Sequence, residues 1–235
     1  MKRGRTGFIF LLTLSAVAFA GFVSLGIWQI HRLAWKEALI ARVDARVAAA
    51  PVQAPGPDLW PDITAKNSEY LHVRLRGRFE HDRNTLVKAV TDLGSGYWVL
   101  TPLDTSRGFT VLVNRGFVAG ARPVTAPTGI QTITGLLRIS EPGGGFLRSN
   151  RPTEDRWYSR DVAAIAKARD LTHVAPYFVD ADKRQEARNS PIGGLTVIRF
   201  HNNHLGYAVT WFVMALGALV GAGLLIRERF RPQKA

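Results

Sequence analysis

The longest uncharged apolar runs lie at the two ends of the chain, and they constrain the fold more than any other feature. Residues 205–226 contain no acidic or basic side chain, and neither do residues 8–30. As helices that rise about 1.5 Å per residue, both runs are long enough to cross a hydrocarbon core of about 30 Å. The sequence therefore predicts two transmembrane helices that flank a central segment.

Basic residues beside both runs predict the orientation of the chain. Lys2, Arg3 and Arg5 precede the first run, and Arg227, Arg229, Arg231 and Lys234 follow the second. By the positive-inside rule, both termini are expected in the cytoplasm and the central segment outside it. A cleaved signal peptide is the alternative for the first run, because Ala18-Phe19-Ala20 fits a cleavage site, but the apolar run continues well past Ala20.

The composition excludes several classes of function. The chain has no cysteine, which rules out a disulfide framework and thiolate ligation of a metal. A net charge of +13 would suggest a nucleic-acid partner in a soluble protein, but the basic residues of the central segment are spread rather than clustered. We therefore expect a solvated basic surface that favours membrane lipids or an acidic partner, and no nucleic acid.

The hydrophobic period changes from helical to strand-like within the central segment. A helix is predicted to continue to about Ala49, where Pro51 stops it, and a proline-rich linker follows. Alternating apolar residues then predict strands at 71–79, 85–90, 97–103, 110–118, 131–139, 177–179 and 195–200, and one helix at 160–171 that begins near Asp161. Short connections favour antiparallel hairpins in a barrel or a sandwich, with a bulge or tight turn at Asn114-Arg115-Gly116.

These patterns predict a membrane protein of the α+β class. Its expected parts are a cytoplasmic tail at 1–7, transmembrane helices at 8–30 and 204–226, a helical extension with linker at 31–65, a β-rich extracytoplasmic domain at 66–203, and a cytoplasmic tail at 227–235. The domain is expected to be mostly antiparallel and to contain one or two helices.

A histidine and a tryptophan share one face at the start of the second apolar run. His204 and Trp211 are seven residues apart, which is about two helical turns. Neutral imidazole is a common ligand of haem iron, yet both residue types also occur at membrane interfaces without any ligand. If the two helices pack together, three residues of the first are expected to lie close to three at the start of the second, namely Trp28, His31 and Arg32 to Arg199, His201 and His204.

Seven parts of the chain share their order and spacing with one protein family. They are LGIWQIHRLAWK at 25–36, GYWVLTPL at 96–103, VLVNRGFV at 111–118, SEP at 140–142 with Asn150-Arg151-Pro152, WYSRD at 157–161, PIGGLTVI at 191–198 and NNHLGYAVTWF at 202–212. Together with the two predicted spans, they make the chain resemble the surfeit locus protein 1 family of cytochrome oxidase assembly factors.

The resemblance implies an integral protein of a bacterial cell membrane that helps to mature a haem–copper terminal oxidase. Bacterial relatives are thought to receive haem a from a synthase and to present it to oxidase subunit I. The histidine of the family motif falls on His204 and the tryptophan on Trp211, which implies an axial iron ligand and a residue that packs on the macrocycle. Arg32 and Arg199, at the predicted outer boundary, are candidates to pair with the haem propionates.

Two other classes of function compete with this interpretation. The first is a membrane scaffold that stabilises an oxidase intermediate without binding haem, because most motif residues lie in the central domain. The second is an enzyme, for which the sequence offers no catalytic residues. Ser95 lacks a nucleophile-elbow sequence, the glycines at 143–145 are not followed by Lys-Ser/Thr, and Asp180 and Asp182 show no metal-ligand spacing.

Overall fold

The chain forms two units of structure, one helical and one built on strands. The computed structural model describes residues 2–121, 126–145, 147–183, 190–196 and 202–231, with the side chains from Thr6 onward. Met1–Arg42 and Arg199–Ala235 form a helix pair, and Val43–Ile198 forms a second unit, here called the β-domain.

Two long helices account for the first unit. Helix α1 spans Lys2–Ala48 without interruption, and helix α4 spans His204–Arg229. Both are long and apolar enough to cross a membrane. The prediction that the first helix continues to about Ala49 is confirmed, and the predicted class of a membrane α+β protein is confirmed with it.

Within the described residues, nine strands form the framework of the β-domain. They are β1 (Val52–Gln53), β2 (His72–Phe79), β3 (Thr85–Thr91), β4 (Gly94–Thr105), β5 (Thr110–Val118), β6 (Ile130–Ile139), β7 (Gly144–Gly145), β8 (Arg148–Ser149) and β9 (Val174–Ala181). Two short helices accompany them, α2 (Ala65–Ser68) and α3 (Val162–Ala168). Six predicted strands are thereby confirmed. Of the seventh, predicted at 195–200, Leu195 and Thr196 are not in a strand and the remainder lies outside the described residues.

The main sheet closes into a five-stranded barrel. Its strand order is β1-β2-β6-β9-β5-β4-β3, and a further pairing of β2 with β4 joins the ring. At this closure the backbones approach so closely that a Cβ on Gly77 would lie 2.2 Å from the carbonyl oxygen of Asp104. Most pairings are antiparallel, as predicted, and β1–β2 and β5–β9 are the parallel ones. Of the two predicted architectures, the strand pairing therefore corresponds to the barrel and not to the sandwich.

Alternating side chains of the barrel strands form two hydrophobic cores. The inner core takes residues from all five strands of the ring, among them Val73, Leu103 and Tyr177. The outer core includes Leu112 and Phe178 of the same strands, which pack with Trp157 and helix α3. Asp161 caps α3 through its carboxylate, which accepts from the backbone N–H of Ala164 at 3.1 Å, as its position in the sequence predicts.

The predicted irregularity in β5 is a bulge. The pairing of β4 with β5 shifts register between Trp98 and Leu100, opposite the segment from Asn114 to Phe117. Gly116 has a φ of 127°, and a Cβ there would lie 2.3 Å from the backbone of Ile192. Only glycine fits this position, because the left-handed conformation and the close approach both exclude a side chain.

Raising the pH from about 6 to about 8 is expected to destabilise the β-domain through His72. Burial of the imidazole opposes its charging, but bonds to Asp182 and to the carbonyl oxygen of Ala49 raise the pKa of His72 above 6.5. The stabilisation is complete below the unfolded-state pKa and is lost as pH rises through the folded one. Because the pair is partly exposed, we expect a loss below about 1 kcal/mol.

Melting temperatures of the wild type and a His72→Gln variant across this pH range test the expectation. The difference between the two proteins should shrink as pH rises. A difference that stays constant with pH would show that the charge on His72 contributes nothing.

Candidate functional site

The two long helices pack antiparallel, and His204 and Trp211 face the contact. The buried and half-buried positions of α4 follow a spacing of three and four residues: His204, Ala208, Trp211, Ala215 and Ala218. Small residues such as these alanines let helix backbones approach closely in a membrane. Two contacts, seven residues apart on each helix, fix the antiparallel direction, and each includes one of the two predicted site residues.

The first contact orients the imidazole of His204, the first residue of α4. Its Nδ1 lies 2.7 Å from the side-chain oxygen of Gln29, which is only 8% exposed. Because an amide oxygen only accepts, Nδ1 is the donor in this contact, and in the neutral imidazole Nε2 then has the free lone pair. In metal-binding histidines, a hydrogen bond to the other ring nitrogen fixes the tautomer and the ring orientation in this way. The arrangement therefore suits ligation of a metal through Nε2.

The second contact is between aromatic rings. The rings of Phe22 and Trp211 stack with their centroids 5.8 Å apart and their planes at 25°. One turn along α1, a Cβ on Gly26 would lie 2.7 Å from the ring of Phe212, so the glycine makes room for that ring. Phe22 covers one face of the indole, which leaves its other face or its edge for any further planar group.

Of the two predicted arginines, Arg32 is described, and its ring contact is with Trp35 and not with His204. The guanidinium carbon of Arg32 lies 4.2 Å above the ring of Trp35, and the side chain is exposed. Arg199 lies outside the described residues, and so does His201. The hydrogen-bond partner of His204 on α1 is Gln29, and not the neighbouring His31 or Arg32.

The β-domain contains a buried polar cluster, here called the Asp180 network. Asp180 in β9 is 4% exposed and accepts from four side chains. These are Asn114 at 2.7 Å, Arg138 at 3.0 Å, Arg160 at 3.2 Å and Thr196 at 3.0 Å. One carboxylate thus connects β5, β6, the loop before α3 and the segment that follows β9.

Two further carboxylates complete the network. Glu69 accepts from Nε of Arg138 at 2.9 Å, and Glu141 accepts from Nε of Arg160 at 3.0 Å. Burial disfavours the ionised form of Glu141, but the bonds and charge of Arg160 outweigh it and hold the pKa of this carboxyl below 4.5. Each guanidinium of the network is shared between acids: Arg138 lies within 4.0 Å of Glu69, Glu141 and Asp180, and Arg160 lies within that distance of Glu141 and Asp180.

A cavity of about 530 Å³ lies above the Asp180 network. Its floor includes Asn114, Arg138 and Arg160, and its rim includes Val90 and Leu93 at the tip of the β3–β4 hairpin. Val90 is 85% exposed and Leu93 is 53% exposed. These three floor side chains all donate to Asp180. We therefore assign the network to the stability of the domain.

Sequence reasoning missed both Gln29 and the Asp180 network. Gln29 is the only amide in the first apolar run, and a strongly polar side chain within a span is a signal of function or of helix pairing. Asp180 follows the apolar run Tyr-Phe-Val in a predicted strand, and a buried carboxylate requires a cation as partner. Each signal indicates that the residue has a role, but neither identifies the side chain with which it pairs. Among the described residues, no group of three or more histidine, aspartate or glutamate side chains is arranged to hold a metal ion.

The helix pair and the barrel define a class of protein: a membrane protein in which two terminal helices flank a β-barrel domain. The SURF1 family model matches residues 16–216. The chain is 36% identical over 225 residues to surfeit locus protein 1 of Mus musculus, a match that covers 86% of this chain and 70% of the relative. It is 35% identical to surfeit locus protein 1 of Homo sapiens, with 86% and 71% covered.

A third relative is the SURF1-like protein of Drosophila melanogaster, which is 34% identical over 231 residues and covers 88% of this chain and 73% of its own length. The chain belongs to the SURF1 family. The resemblance seen in the seven motifs is thereby confirmed.

Proposed function

We propose that this protein is an assembly factor for a haem–copper terminal oxidase, cytochrome c oxidase, and that it binds haem a and assists its insertion into subunit I. Membership of the SURF1 family supports the role in assembly. The observation that carries the haem-binding part is the bond from Nδ1 of His204 to Gln29, which leaves Nε2 as the ligating nitrogen.

The residues beside His204 suit a haem cargo. Trp211 and Phe22 provide an aromatic surface two turns deeper in the apolar part of the helix pair, where a macrocycle and its apolar tail would avoid water. Arg32 and Arg199 are the proposed partners of the propionates. The bound iron would serve as cargo, so these residues act by holding, shielding and releasing the group, and no catalytic step is required.

The proposed setting is a bacterial inner membrane. Both termini would be cytoplasmic, as the flanking basic residues suggest, and the β-domain would lie in the periplasm. Haem a synthase would be the donor and subunit I the acceptor, with membrane lipids around the helix pair. Protease protection of the β-domain in inside-out and right-side-out vesicles tests this orientation.

An absorbance spectrum of the full chain, purified in detergent after expression with haem a synthesis, tests the cofactor. We expect the bands of haem a to co-purify with the protein. The control is the same protein from a host that lacks the synthase. A protein that is folded but colourless under both conditions contradicts haem binding.

The scaffold without haem is the second candidate, and the exposed rim of the cavity favours it. Val90 and Leu93 present apolar surface at a hairpin tip, as partner-binding surfaces often do. Co-purification with subunit I from cells without haem a would support this role. Loss of co-purification in the same cells would support the haem carrier.

A further inference from the structure

Arginines occupy alternate positions of β2, so they all lie on its outer face. Val73, Leu75 and Phe79 of this strand point into the inner core, whereas Arg74 and Arg76 are exposed on the other face. Side chains two residues apart on a strand point the same way, so these two guanidinium groups emerge side by side.

A groove beside this face contains a third arginine. The groove encloses about 390 Å³, and its lining includes Arg74, Arg76, Ser106 and Arg107. That volume is within the range of small-ligand sites, which begins at roughly 300 Å³. Among the residues that the structure describes, none that lines the groove is acidic.

The guanidinium of Arg107 is held in place by two contacts. It donates to the carbonyl oxygen of Ala54 at 2.7 Å, and its central carbon lies 5.3 Å from the ring centroid of Phe109. A Cβ on Gly56 would lie 2.6 Å from one of its nitrogens, so the absence of a side chain there makes room for the group. A cation fixed before a ligand arrives loses little conformational freedom on binding.

The groove arginines differ in their electrostatic partners from three other arginines of the β-domain. Arg138, Arg160 and Arg169 each lie within 4.0 Å of a carboxylate. Among the described residues, no carboxylate lies within this distance of the three groove arginines. Arg78 is exposed on the same face of β2 but does not line the groove.

We propose that Arg74, Arg76 and Arg107 form a binding site for a phosphate-type oxyanion. Guanidinium groups bind phosphate oxygens through paired N–H donors, and three of them converge here on one concave surface. Ser106 also lines the groove, and its hydroxyl donates to the backbone carbonyl oxygen of Arg76 at 3.3 Å. The oxyanion is either the headgroup phosphate of an anionic lipid or a free phosphate compound. This site lies in the β-domain, goes beyond the proposed haem function and does not depend on it.

Calorimetric titration of the full chain, in a neutral detergent at low ionic strength, tests the proposal. The probes are inorganic pyrophosphate and short-chain phosphatidylglycerol, with short-chain phosphatidylcholine as the zwitterionic control. We expect saturable binding of at least one anionic probe. A double variant, Arg74→Gln with Arg76→Gln, should weaken that binding about a hundredfold, since each charged hydrogen bond contributes roughly tenfold.

Two matched variants distinguish a specific binding site from non-specific attraction of anions to the basic surface. Arg78→Gln removes one charge from the same face of the same strand and should change affinity by less than about threefold. Gly56→Ala keeps every charge but displaces the Arg107 guanidinium, and it should weaken binding about tenfold. Melting temperatures of all variants should match the wild type within a few degrees.

The possible results distinguish a lipid headgroup from a free phosphate compound as the ligand, and they also show whether the proposed site exists. Binding of phosphatidylglycerol alone identifies a lipid headgroup, and binding of pyrophosphate shows that the phosphate group suffices. The proposal is overturned if neither anionic probe binds. It is equally overturned if Arg78→Gln weakens binding as much as the double variant, because the attraction then belongs to the whole basic face.

Discussion

Replacing Asp180 with asparagine is expected to lower the free energy of unfolding by about 3–5 kcal/mol, because the change removes the buried charge that two half-buried guanidinium groups share. Asp180 is 4% exposed and accepts from both Arg138 and Arg160. Asparagine has nearly the same shape, so the loss reports charge and hydrogen bonding rather than a cavity. For a chain of this size, the expected drop in melting temperature is about 6–20 °C.

Asp182→Asn is the matched control for this measurement. Asp182 is two residues further along the chain, and its carboxylate is 35% exposed and paired with His72. Its loss should lower the free energy of unfolding by less than about 1 kcal/mol. Thermal unfolding of both variants in detergent, followed by near-ultraviolet circular dichroism, measures the difference. Equal melting temperatures for the two variants would refute the role assigned to the Asp180 network.

Replacing His204 with alanine is expected to abolish the haem a absorbance of the purified protein. The imidazole is the proposed axial ligand, and the described part of the helix pair places no second histidine against Gln29. Gln29→Leu keeps the ligand but removes the acceptor that fixes its tautomer. We expect this variant to bind haem a about 10- to 100-fold more weakly, as is usual when such a partner of a metal ligand is lost.

His31→Ala is the control for both variants. His31 is exposed on α1 two residues after Gln29, so its loss should leave the spectrum unchanged. Titration of the purified variants with haem a gives their affinities. Full absorbance in the His204→Ala protein would exclude His204 as the ligand, and equal losses in all three variants would show that the helix pair is merely sensitive to substitution.

The sequence predicted the elements of this fold better than it predicted their pairing. Alternation along 71–79 was sufficient to predict β2, because one face of that strand lies in the inner core. The apolar run within 110–118 predicted β5, whose two faces lie in the two cores. Closure of the ring depends on β2 pairing with β4 and on β9 pairing with both β5 and β6. Such contacts join residues far apart in the chain, and no local pattern encodes them.

For the candidate sites as well, the sequence indicated individual residues but not the residues that they contact. The spacing of His204 and Trp211 indicated a shared helix face, and the structure places both against α1. The partners Gln29 and Phe22 could not be predicted, because they depend on the register between two helices. Asp180 likewise gained its importance only when the fold brought Arg138 and Arg160 to it from other parts of the chain.

The position of β9 has a consequence for how the domain is made. This strand occupies Val174–Ala181 and lies between β5 and β6, so the ring stays open until the ribosome has produced nearly all of the domain. During synthesis, β5 and β6 expose unsatisfied edges on which other chains could add. Because α1 is already complete by then, a nascent chain held at the membrane would be kept apart from its neighbours while it waits for its last strand.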